Sequence, residues 1–255
     1  NGAGKTTLIK NLVDIYEPEK GEVIISGENI RDNAKLKSRL GYVSDFQRLY
    51  SSFKVKEIVE FYQGAYPLWN TERHNQLRKL FKLDDHKKIK YLSMGMKTQL
   101  AILLNLSIMP NVLILDEPTS GLDPVIKRKV LNLIVDEVSA NQTTVLISSH
   151  HLGELEQICD HIGIIYEGKI ILENSVDNLK SSVRKVQVVF KNGLPDEIKK
   201  NEHLLKIESI GRIHQIIVKD NLEAVMEAIK KHNPILLETI DMSLEEIFIH
   251  KMGGE

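Results

Sequence analysis

A glycine-rich stretch at the start of the chain, NGAGKTTLIK, has the residue types and spacing to hold phosphate groups. Gly2 and Gly4 permit backbone conformations in which successive N–H groups turn inward toward phosphate oxygens. Because the residues that follow have helical apolar spacing, a helix N-terminus adds its partial positive charge there. Lys5 would contact the β- and γ-phosphates, Thr6 a Mg²⁺ ion and Thr7 a further phosphate oxygen.

The phosphate-binding pattern is incomplete at its beginning. The pattern G-x-x-x-x-G-K-[ST] requires a glycine two residues before Asn1. The candidate nucleotide-binding residues of this stretch are Asn1, Gly2, Ala3, Gly4, Lys5, Thr6 and Thr7. The alternative is a chance glycine turn before a helix.

Two adjacent carboxylates, Asp116 and Glu117, follow the apolar run NVLIL, which predicts a strand buried on both faces. Buried carboxylates are costly unless a cation or hydrogen-bond donors meet them, and a metal-bound nucleotide meets that need. Asp116 would hold Mg²⁺ through its water shell. Glu117 would polarise the attacking water as a general base, a role worth about 10²- to 10⁴-fold in rate. The alternative is that Asp116 only caps the following turn.

The composition is that of an ordinary globular protein, with 42% hydrophobic and 27% charged residues among 255. The 34 basic and 35 acidic residues give a net charge of -1, so the overall charge does not favour binding to nucleic acid or to an anionic membrane surface. Any partner must therefore be recognised locally. No apolar run approaches the roughly 18 to 20 residues of a membrane-spanning helix. The single cysteine, Cys159, cannot form an internal disulfide, which suits a reducing cytosol.

Strands and helices alternate along most of the chain. The stretch TTLIKNLVDIY predicts a helix, GEVIISGENI and RLGYVSD predict strands, and VKEIVEFYQGAY and HNQLRKLFKL predict helices. The runs NVLILDEP, DPVIKRKVLNLIVDEVSA and TTVLISS then predict strand, helix and strand, which is typical of a parallel α/β sheet. The run HIGIIYEGKIIL predicts a hairpin. After about residue 179, three predicted strands and two predicted helices indicate a small α+β unit.

The segment LSMGM, which precedes the NVLIL strand, resembles the signature LSGGQ of ABC (ATP-binding cassette) transporters. Ser93 and Gly95 match the signature, whereas Met94 and Met96 replace a glycine and the glutamine. Ser93 can also act simply as a cap for the helix that follows. The position of the segment between the other motifs makes the resemblance specific.

The chain resembles the nucleotide-binding subunit of an ABC transporter from Asn1 to about Leu179. The resemblance implies an α/β P-loop NTPase fold with a mostly parallel sheet. It implies an ATPase domain over residues 1–179, with an inserted helical subdomain at about residues 45–108. Residues 180–255 would form a small C-terminal α+β accessory domain, either a passive cover for the sheet or a regulatory unit.

Two further motifs extend the resemblance. The stretch SGLD resembles the D-loop, which implies that Asp123 lies at the interface of a dimer. The stretch ISSHH resembles the switch-histidine segment, which implies that His150 contacts the γ-phosphate and the attacking water, with His151 a bystander. Taken by itself, a histidine after a strand is more often structural than catalytic.

One motif departs from the family pattern. The glutamine of the Q-loop aligns with Asp45, and the nearest glutamine, Gln47, lies two residues later. An aspartate can still reach Mg²⁺ or its water because carboxylate oxygens suit that cation. The resemblance thus gives Thr6, Asp116 and Asp45 as metal-binding candidates and Asp45 as a nucleotide-binding candidate, with Gln47 as the alternative.

The resemblance also implies partners and a location. The phosphate loop of one cassette faces the signature of a second across ATP, so the chain would pair with itself or with a similar subunit. A separate integral membrane permease would hold the pair at the cytoplasmic face of the membrane. LSxGM, together with FYQGAYPLWN, is similar to a subgroup of bacterial exporters, so we expect export. No nucleic acid partner is expected, and a soluble ABC ATPase acting on ribosomes or DNA is the alternative.

Aromatic residues concentrate between Tyr42 and Tyr91, within the implied helical subdomain. The family's membrane subunit inserts a short cytoplasmic helix into a groove of this subdomain. We expect Phe46, Tyr50 and Phe53 to line that groove and about half of the aromatic residues to fill the local core.

The resemblance further implies a central strand and an adenine-stacking aromatic residue before Asn1. We therefore expect the sequence to be cut at its N-terminus. We also expect these 255 residues to bind ATP weakly and to fold marginally, since an interior strand of the sheet would be missing.

Overall fold

The computed structural model describes residues 2–45 and 49–252, with side chains as far as residue 250. Three residues that carry predictions, Asn1, Phe46 and Gln47, lie outside this part of the chain. Over the described ranges, no helix has the length and the apolar character needed to cross a membrane.

Contacts between residues divide the chain into two compact units. The first comprises Asn1–His150 with Ile165–Lys169, and the second comprises His151–Ile164 with Ile170–Glu255. The predicted domain boundary at residue 179 stays a prediction.

The first unit alternates helices and strands. In chain order these are α1 (Lys5–Leu12), β1 (Ile24–Ile25), β2 (Glu28–Asn29), α2 (Ala34–Lys37), β3 (Leu40–Val43), α3 (Val55–Ala65), α4 (Thr71–Phe81), α5 (Met94–Ser107), β4 (Val112–Asp116), α6 (Pro124–Asn141) and β5 (Thr144–Ser148). A short 3₁₀ turn, Ile89–Tyr91, precedes α5. The helices α3, α4 and α5 lie within the predicted range of the helical subdomain.

A parallel sheet in the order β3-β4-β5 forms the centre of this unit. Strand β4 pairs with both neighbours in parallel, and Asp116 lies directly opposite Ser148 of β5. Because α6 connects β4 to β5, the predicted parallel strand–helix–strand unit is confirmed. The side chains of Leu113, Ile114 and Leu115 are buried, as expected for a central parallel strand.

Apolar packing fixes the first helix against this sheet. Ile9 of α1 is buried in a cluster with Ile30, Leu40 and Ile114. Burial of each such side chain contributes roughly 1.5 to 3 kcal/mol, so α1 and the loop before it are held at a defined place beside β4.

A buried ion pair joins α4 to α6. The Glu137 side chain is fully buried and accepts hydrogen bonds from Arg73 Nη2 at 2.7 Å and Asn141 Nδ2 at 2.9 Å. A carboxylate in such a place is stable only while its donors are present, because desolvation of an unpaired charge costs several kcal/mol. The pair therefore fixes how α4 lies against α6.

The remainder of the chain also mixes helices and strands. These are α7 (Leu152–Leu155), β6 (His161–Tyr166), β7 (Lys169–Ser175), α8 (Val176–Ser182), β8 (Arg184–Val189), α9 (Asp196–Lys199), β9 (Leu204–Ile210), β10 (Ile213–Val218), α10 (Leu222–Lys230), β11 (Leu236–Ile240) and α11 (Leu244–Met252). The predicted hairpin is present as the two-stranded sheet β6-β7.

A four-stranded antiparallel sheet in the order β11-β8-β10-β9 is the core element of the second unit. Val186, Val188 and Ile216 on one face pack with Val225 and Ile229 of α10. The sequence patterns identified β8, β9, β10, α10 and α11, but not the edge strand β11. The Lys185 ammonium and the Glu246 carboxylate form an ion pair that ties α11 to β8.

We expect Glu137→Ala to lower the free energy of unfolding by about 3 to 5 kcal/mol, because it leaves the partly buried Arg73 charge without its partner. Glu17→Ala is the control: Glu17 pairs with Arg31 at 2.5 Å, but both side chains are more than half exposed, so we expect a loss below about 1 kcal/mol. Urea denaturation of both variants measures the difference. Equal losses in the two variants would contradict the role given to the buried pair.

Candidate active site

The glycine-rich loop adopts a conformation that requires glycine. Gly2 has φ 84° and Gly4 φ 107°, both in the left-handed region that side chains with a Cβ seldom adopt. Gly4 is the N-cap of α1, so Lys5, Thr6 and Thr7 form the first turn of that helix. The loop is anchored where the Ala3 carbonyl accepts a hydrogen bond of 2.9 Å from the Gly168 N–H.

The Asp116 carboxylate lies at the end of β4, and its side chain is buried. Its Oδ1 atom accepts a hydrogen bond of 2.6 Å from the Ser148 hydroxyl of β5. Its Oδ2 atom is buried and has no hydrogen-bond partner in the part of the chain that the structure describes. One carboxylate oxygen is therefore fixed and the other is left available to a ligand.

Glu117 is held between two residues of the site. Its Oε2 atom lies 2.8 Å from His150 Nδ1, and its Oε1 atom lies 3.8 Å from the Lys5 Nζ atom. Its backbone has φ 51°, a left-handed conformation that is uncommon for a residue other than glycine and is often found at functional sites. The Glu117 N–H donates to both the Ser148 carbonyl and the Ser148 hydroxyl at 3.1 Å, which stabilises this conformation.

Asp45 lies within the electrostatic field of the same carboxylates. Burial, followed by the negative charges of Asp116 and Glu117, raises the pKa of Asp45 above its ordinary value, while His150 lowers it. Burial and the charges of Asp116 and Asp45 likewise raise the pKa of Tyr42 to about 12. Negative charge is therefore concentrated here, as expected for a place that receives a cation.

A second group of predicted residues lies around the starts of α5 and α6. The Ser93 hydroxyl caps α5 by accepting a hydrogen bond of 3.2 Å from the Met96 N–H. Asp123 caps α6 by accepting from the Val125 and Ile126 N–H groups at 3.1 and 3.0 Å. A Cβ on Gly95 would lie 3.1 Å from Leu122, so the signature segment packs closely on the residue before Asp123.

The structure thus assembles the predicted residues in two places. Lys5, Asp45, Asp116, Glu117 and His150 are linked to one another by contacts or by charge. Ser93, Gly95 and Asp123 form the second group, around the starts of α5 and α6.

Sequence reasoning missed Ser148, which bonds both to the Asp116 carboxylate and to the Glu117 backbone. Its only signal is its place at the end of a predicted strand parallel to the strand that ends at Asp116. The polar ends of neighbouring parallel strands meet at one edge of a sheet, which is where α/β proteins bind ligands.

Comparison with known proteins agrees with this geometry. The family model described as ABC transporter matches residues 1–120. The ABC transporter ATP-binding protein YtrB of Bacillus subtilis is 29% identical, over 100% of this chain and 87% of its own length. The Bacitracin transport ATP-binding protein BcrA of Bacillus licheniformis is 32% identical, over 100% of this chain and 86% of its own length. A solved structure of an ATP binding subunit of an ABC transporter is 26% identical with a TM-score of 0.65, covering 71% of this chain and 78% of that one.

The chain therefore belongs to the family of ABC transporter ATP-binding proteins. The predicted P-loop NTPase fold, the ATPase activity and the role as the ATP-binding subunit of a transporter are confirmed by this membership.

We expect Ser148→Ala to lower the rate of ATP hydrolysis at saturating ATP, because the Asp116 carboxylate loses its fixed orientation. Loss of the hydroxyl should also lower the free energy of unfolding by about 1 to 3 kcal/mol, since it leaves a buried carboxylate oxygen without its donor. Ser148→Thr keeps a hydroxyl and serves as the control. Steady-state hydrolysis and thermal unfolding measure both effects, and a Thr variant as impaired as the Ala variant would argue against the hydrogen bond as their cause.

Proposed function

We propose that this ATPase binds Mg²⁺–ATP between the Gly2–Thr7 loop and Asp116, and that it powers export through a separate membrane subunit. The observation that carries the proposal is the position of Glu117 between Lys5 and His150, next to a buried carboxylate with one unpartnered oxygen. This arrangement supports attack by water on a phosphate that is held beside Lys5.

The glycine-rich loop would bind the phosphates. The left-handed conformations of Gly2 and Gly4 favour inward-facing N–H groups, and α1 adds its dipole to them. Lys5 would contact the β- and γ-phosphates, and Thr7 a further phosphate oxygen. Asn1 and Ala3 complete the proposed nucleotide-binding residues of the loop.

The residues at the end of β4 fit a magnesium ion. The orphaned Oδ2 atom of Asp116 is the observation that supports this fit, because a buried carboxylate oxygen otherwise needs a donor and is a favourable Mg²⁺ ligand. Asp116 would hold the ion through its water shell, Thr6 would contribute its hydroxyl, and Asp45 would approach it in place of the glutamine of the Q-loop. The ion, when bound, neutralises charge on the β- and γ-phosphate oxygens.

Glu117 would act as the general base. Lys5 moves from the Glu117 carboxylate to the phosphates when ATP binds, which leaves Glu117 oriented by His150. Glu117 then takes a proton from water as the water oxygen bonds to the γ-phosphorus and the bond to the β,γ-bridging oxygen breaks, releasing ADP and phosphate. His150 would stabilise the attacking water and the γ-phosphate.

The second group of residues would complete the site of a second cassette. Ser93 and Gly95 at the N-terminus of α5 offer N–H groups to the γ-phosphate bound by the facing subunit. Asp123 lies next to the Leu122–Gly95 contact, where it would join the two subunits at their interface. ATP binding would then favour the closed dimer and hydrolysis would release it.

Transport requires a membrane subunit, which would hold this chain at the cytoplasmic face of the membrane. The names of the relatives YtrB and BcrA, an ABC transporter ATP-binding protein and a bacitracin transport ATP-binding protein, support this assignment. To test it, the full-length tagged protein is extracted from native membranes in mild detergent. A stoichiometric integral membrane protein in the eluate supports transport, whereas recovery only with ribosomes or DNA would favour the soluble alternative.

The aromatic rings of the helical region are the proposed docking surface for that subunit. The rings of Tyr50 and Phe53 stack with centroids 5.2 Å apart, and Phe61 lies 6.0 Å from Tyr50. Tyr50 and Phe61 are exposed, at 59% and 48%. Exposed aromatic clusters of this kind are enriched at protein–protein interfaces.

We expect Glu117→Gln to lower ATP hydrolysis by about 10²- to 10⁴-fold while ATP binding is retained, because the amide keeps the size of the side chain but cannot accept the proton. Asp136→Asn, an exposed carboxylate of α6, is the matched control and should keep its activity. Single-turnover hydrolysis and nucleotide binding are measured in both proteins. Activity of Glu117→Gln within threefold of the parent would remove Glu117 from the role of base.

We expect Tyr50→Glu and Phe61→Glu to abolish co-purification with the membrane subunit, because a charge placed in an apolar interface has no partner there. Ile24→Glu, which changes an equally exposed apolar residue outside the surface, should not. Circular dichroism verifies that each variant is folded. Unchanged membrane assembly in both aromatic variants would show that the docking surface lies elsewhere.

A further inference from the structure

Two segments that are hydrogen-bonded to each other, residues 51–56 and 85–90, lie next to the proposed docking surface; they consist of turns, the start of α3 and the start of the 3₁₀ turn Ile89–Tyr91. Their backbones run antiparallel: the Ile89 N–H donates to the Phe53 carbonyl at 2.8 Å, and the Val55 N–H donates to the Lys87 carbonyl at 3.1 Å. The backbones of Lys54 and Lys88 form an isolated antiparallel β-bridge, so the two residues lie directly opposite each other. The two segments therefore form one short ribbon in the first unit.

This ribbon carries several lysines. The side chains of Val55 and Ile89 are buried, whereas the lysines next to them along the chain are exposed or partly exposed. Lys54 lies opposite Lys88, Lys56 follows in the first turn of α3 and Lys90 in the 3₁₀ turn; we call these four residues the lysine strip. The side chains of Lys56, Lys88 and Lys90 are exposed, and that of Lys54 is partly exposed.

The strip is unfavourable for the folded chain by itself. Like charges directly opposite in a strand pair are destabilising, as are cations at a helix N-terminus, where Lys54 and Lys56 begin α3. Within residues 2–45 and 49–252, no ion pair neutralises any of these four ammonium groups. A surface whose charges lower the stability of the folded chain is expected to have a function other than folding.

The carboxylates of Glu57, Asp84 and Asp85 make contacts with groups other than these four ammonium groups. The Glu57 side chain accepts a hydrogen bond of 2.8 Å from the Lys54 N–H, and Asp85 pairs with Arg78. Asp84 accepts from the His86 N–H at 2.9 Å. The whole chain carries a net charge of -1, so the positive charge of the strip is local and is not apparent from the net charge.

Exposed tyrosines lie at the strip. The Lys90 ammonium lies 4.8 Å from the centroid of the Tyr91 ring, and Tyr91 is 64% exposed. Tyr50 is also exposed and lies next to Ser51, whose backbone carbonyl accepts a hydrogen bond of 3.1 Å from the Lys90 N–H. Lysine with tyrosine is the composition of surfaces that lie at the headgroup level of a membrane, because both side chains join an apolar body to a polar tip.

We propose that the lysine strip binds the anionic headgroups of phospholipids. The proposal rests on the proposed function, since a membrane subunit docked on the adjacent aromatic surface would bring the strip to the bilayer. Charge complementarity carries it: the strip contains lysine rather than arginine, and therefore lacks the planar guanidinium groups of bidentate recognition, which suits a diffuse layer of anionic groups. Each lysine at such a surface contributes roughly fivefold to the partition coefficient, and salt weakens the effect.

The test is co-sedimentation of the 255-residue chain with vesicles of phosphatidylcholine, alone or with about a third of phosphatidylglycerol. We expect binding to the anionic vesicles that decreases as salt is raised, and none to the neutral vesicles. Replacing the four lysines of the strip with glutamine should lower the partition coefficient by at least about 100-fold. The matched control replaces four exposed lysines outside the strip, Lys20, Lys35, Lys191 and Lys200, with glutamine and removes the same charge.

The proposal is overturned if the chain does not bind anionic vesicles, if neutral vesicles bind it equally, or if the control variant loses as much affinity as the strip variant. Strip-dependent binding to a DNA duplex without binding to anionic vesicles would also overturn it. Solution ATPase activity and co-purification of the membrane subunit are measured separately. Their persistence alongside failed vesicle binding would reject the lipid site and leave the proposed transport function standing.

Discussion

The buried carboxylate of Asp116 is the constraint on which the site depends. It ends a strand with apolar neighbours on both faces, so its charge must be met by groups brought to the same edge of the sheet. Parallel pairing of β4 with β5 brings Ser148 there, and the same hydroxyl holds the backbone of Glu117. The sheet register, rather than any local preference, therefore sets the geometry of both acidic residues.

Packing elsewhere in the first unit keeps that edge in place. Ile9 holds α1 against Ile114 of β4, so the glycine-rich loop begins beside the carboxylates. The Arg73–Glu137 pair fixes α4 against α6, the helix whose N-cap is Asp123. Apolar burial supplies the stability, while the buried ion pair sets one orientation between two helices.

The helical region separates two kinds of surface along a short stretch of chain. Exposed aromatic rings and the lysine strip lie side by side, although the net charge of the whole chain is close to zero. Docking by shape and apolar contact suits a protein partner, whereas diffuse positive charge suits an anionic layer. The two surfaces are thus adjacent in position but suited to partners of different chemistry.

The sequence by itself determined the family and predicted the phosphate loop and the acidic pair, because glycine spacing, a Lys-Thr-Thr run and an apolar strand ending in Asp-Glu are local patterns. It also predicted the parallel strand–helix–strand unit, whose periodicities change clearly from one element to the next. The edge strand β11 was missed because its burial alternates poorly, and its place depends on pairing with β8. Only the tertiary structure decided that Ser148 orients Asp116, 32 residues away, that Glu137 meets Arg73, 64 residues away, and that Lys54 lies opposite Lys88. Such contacts join segments distant along the chain, and their partners are set by sheet register and helix packing, which no local pattern encodes.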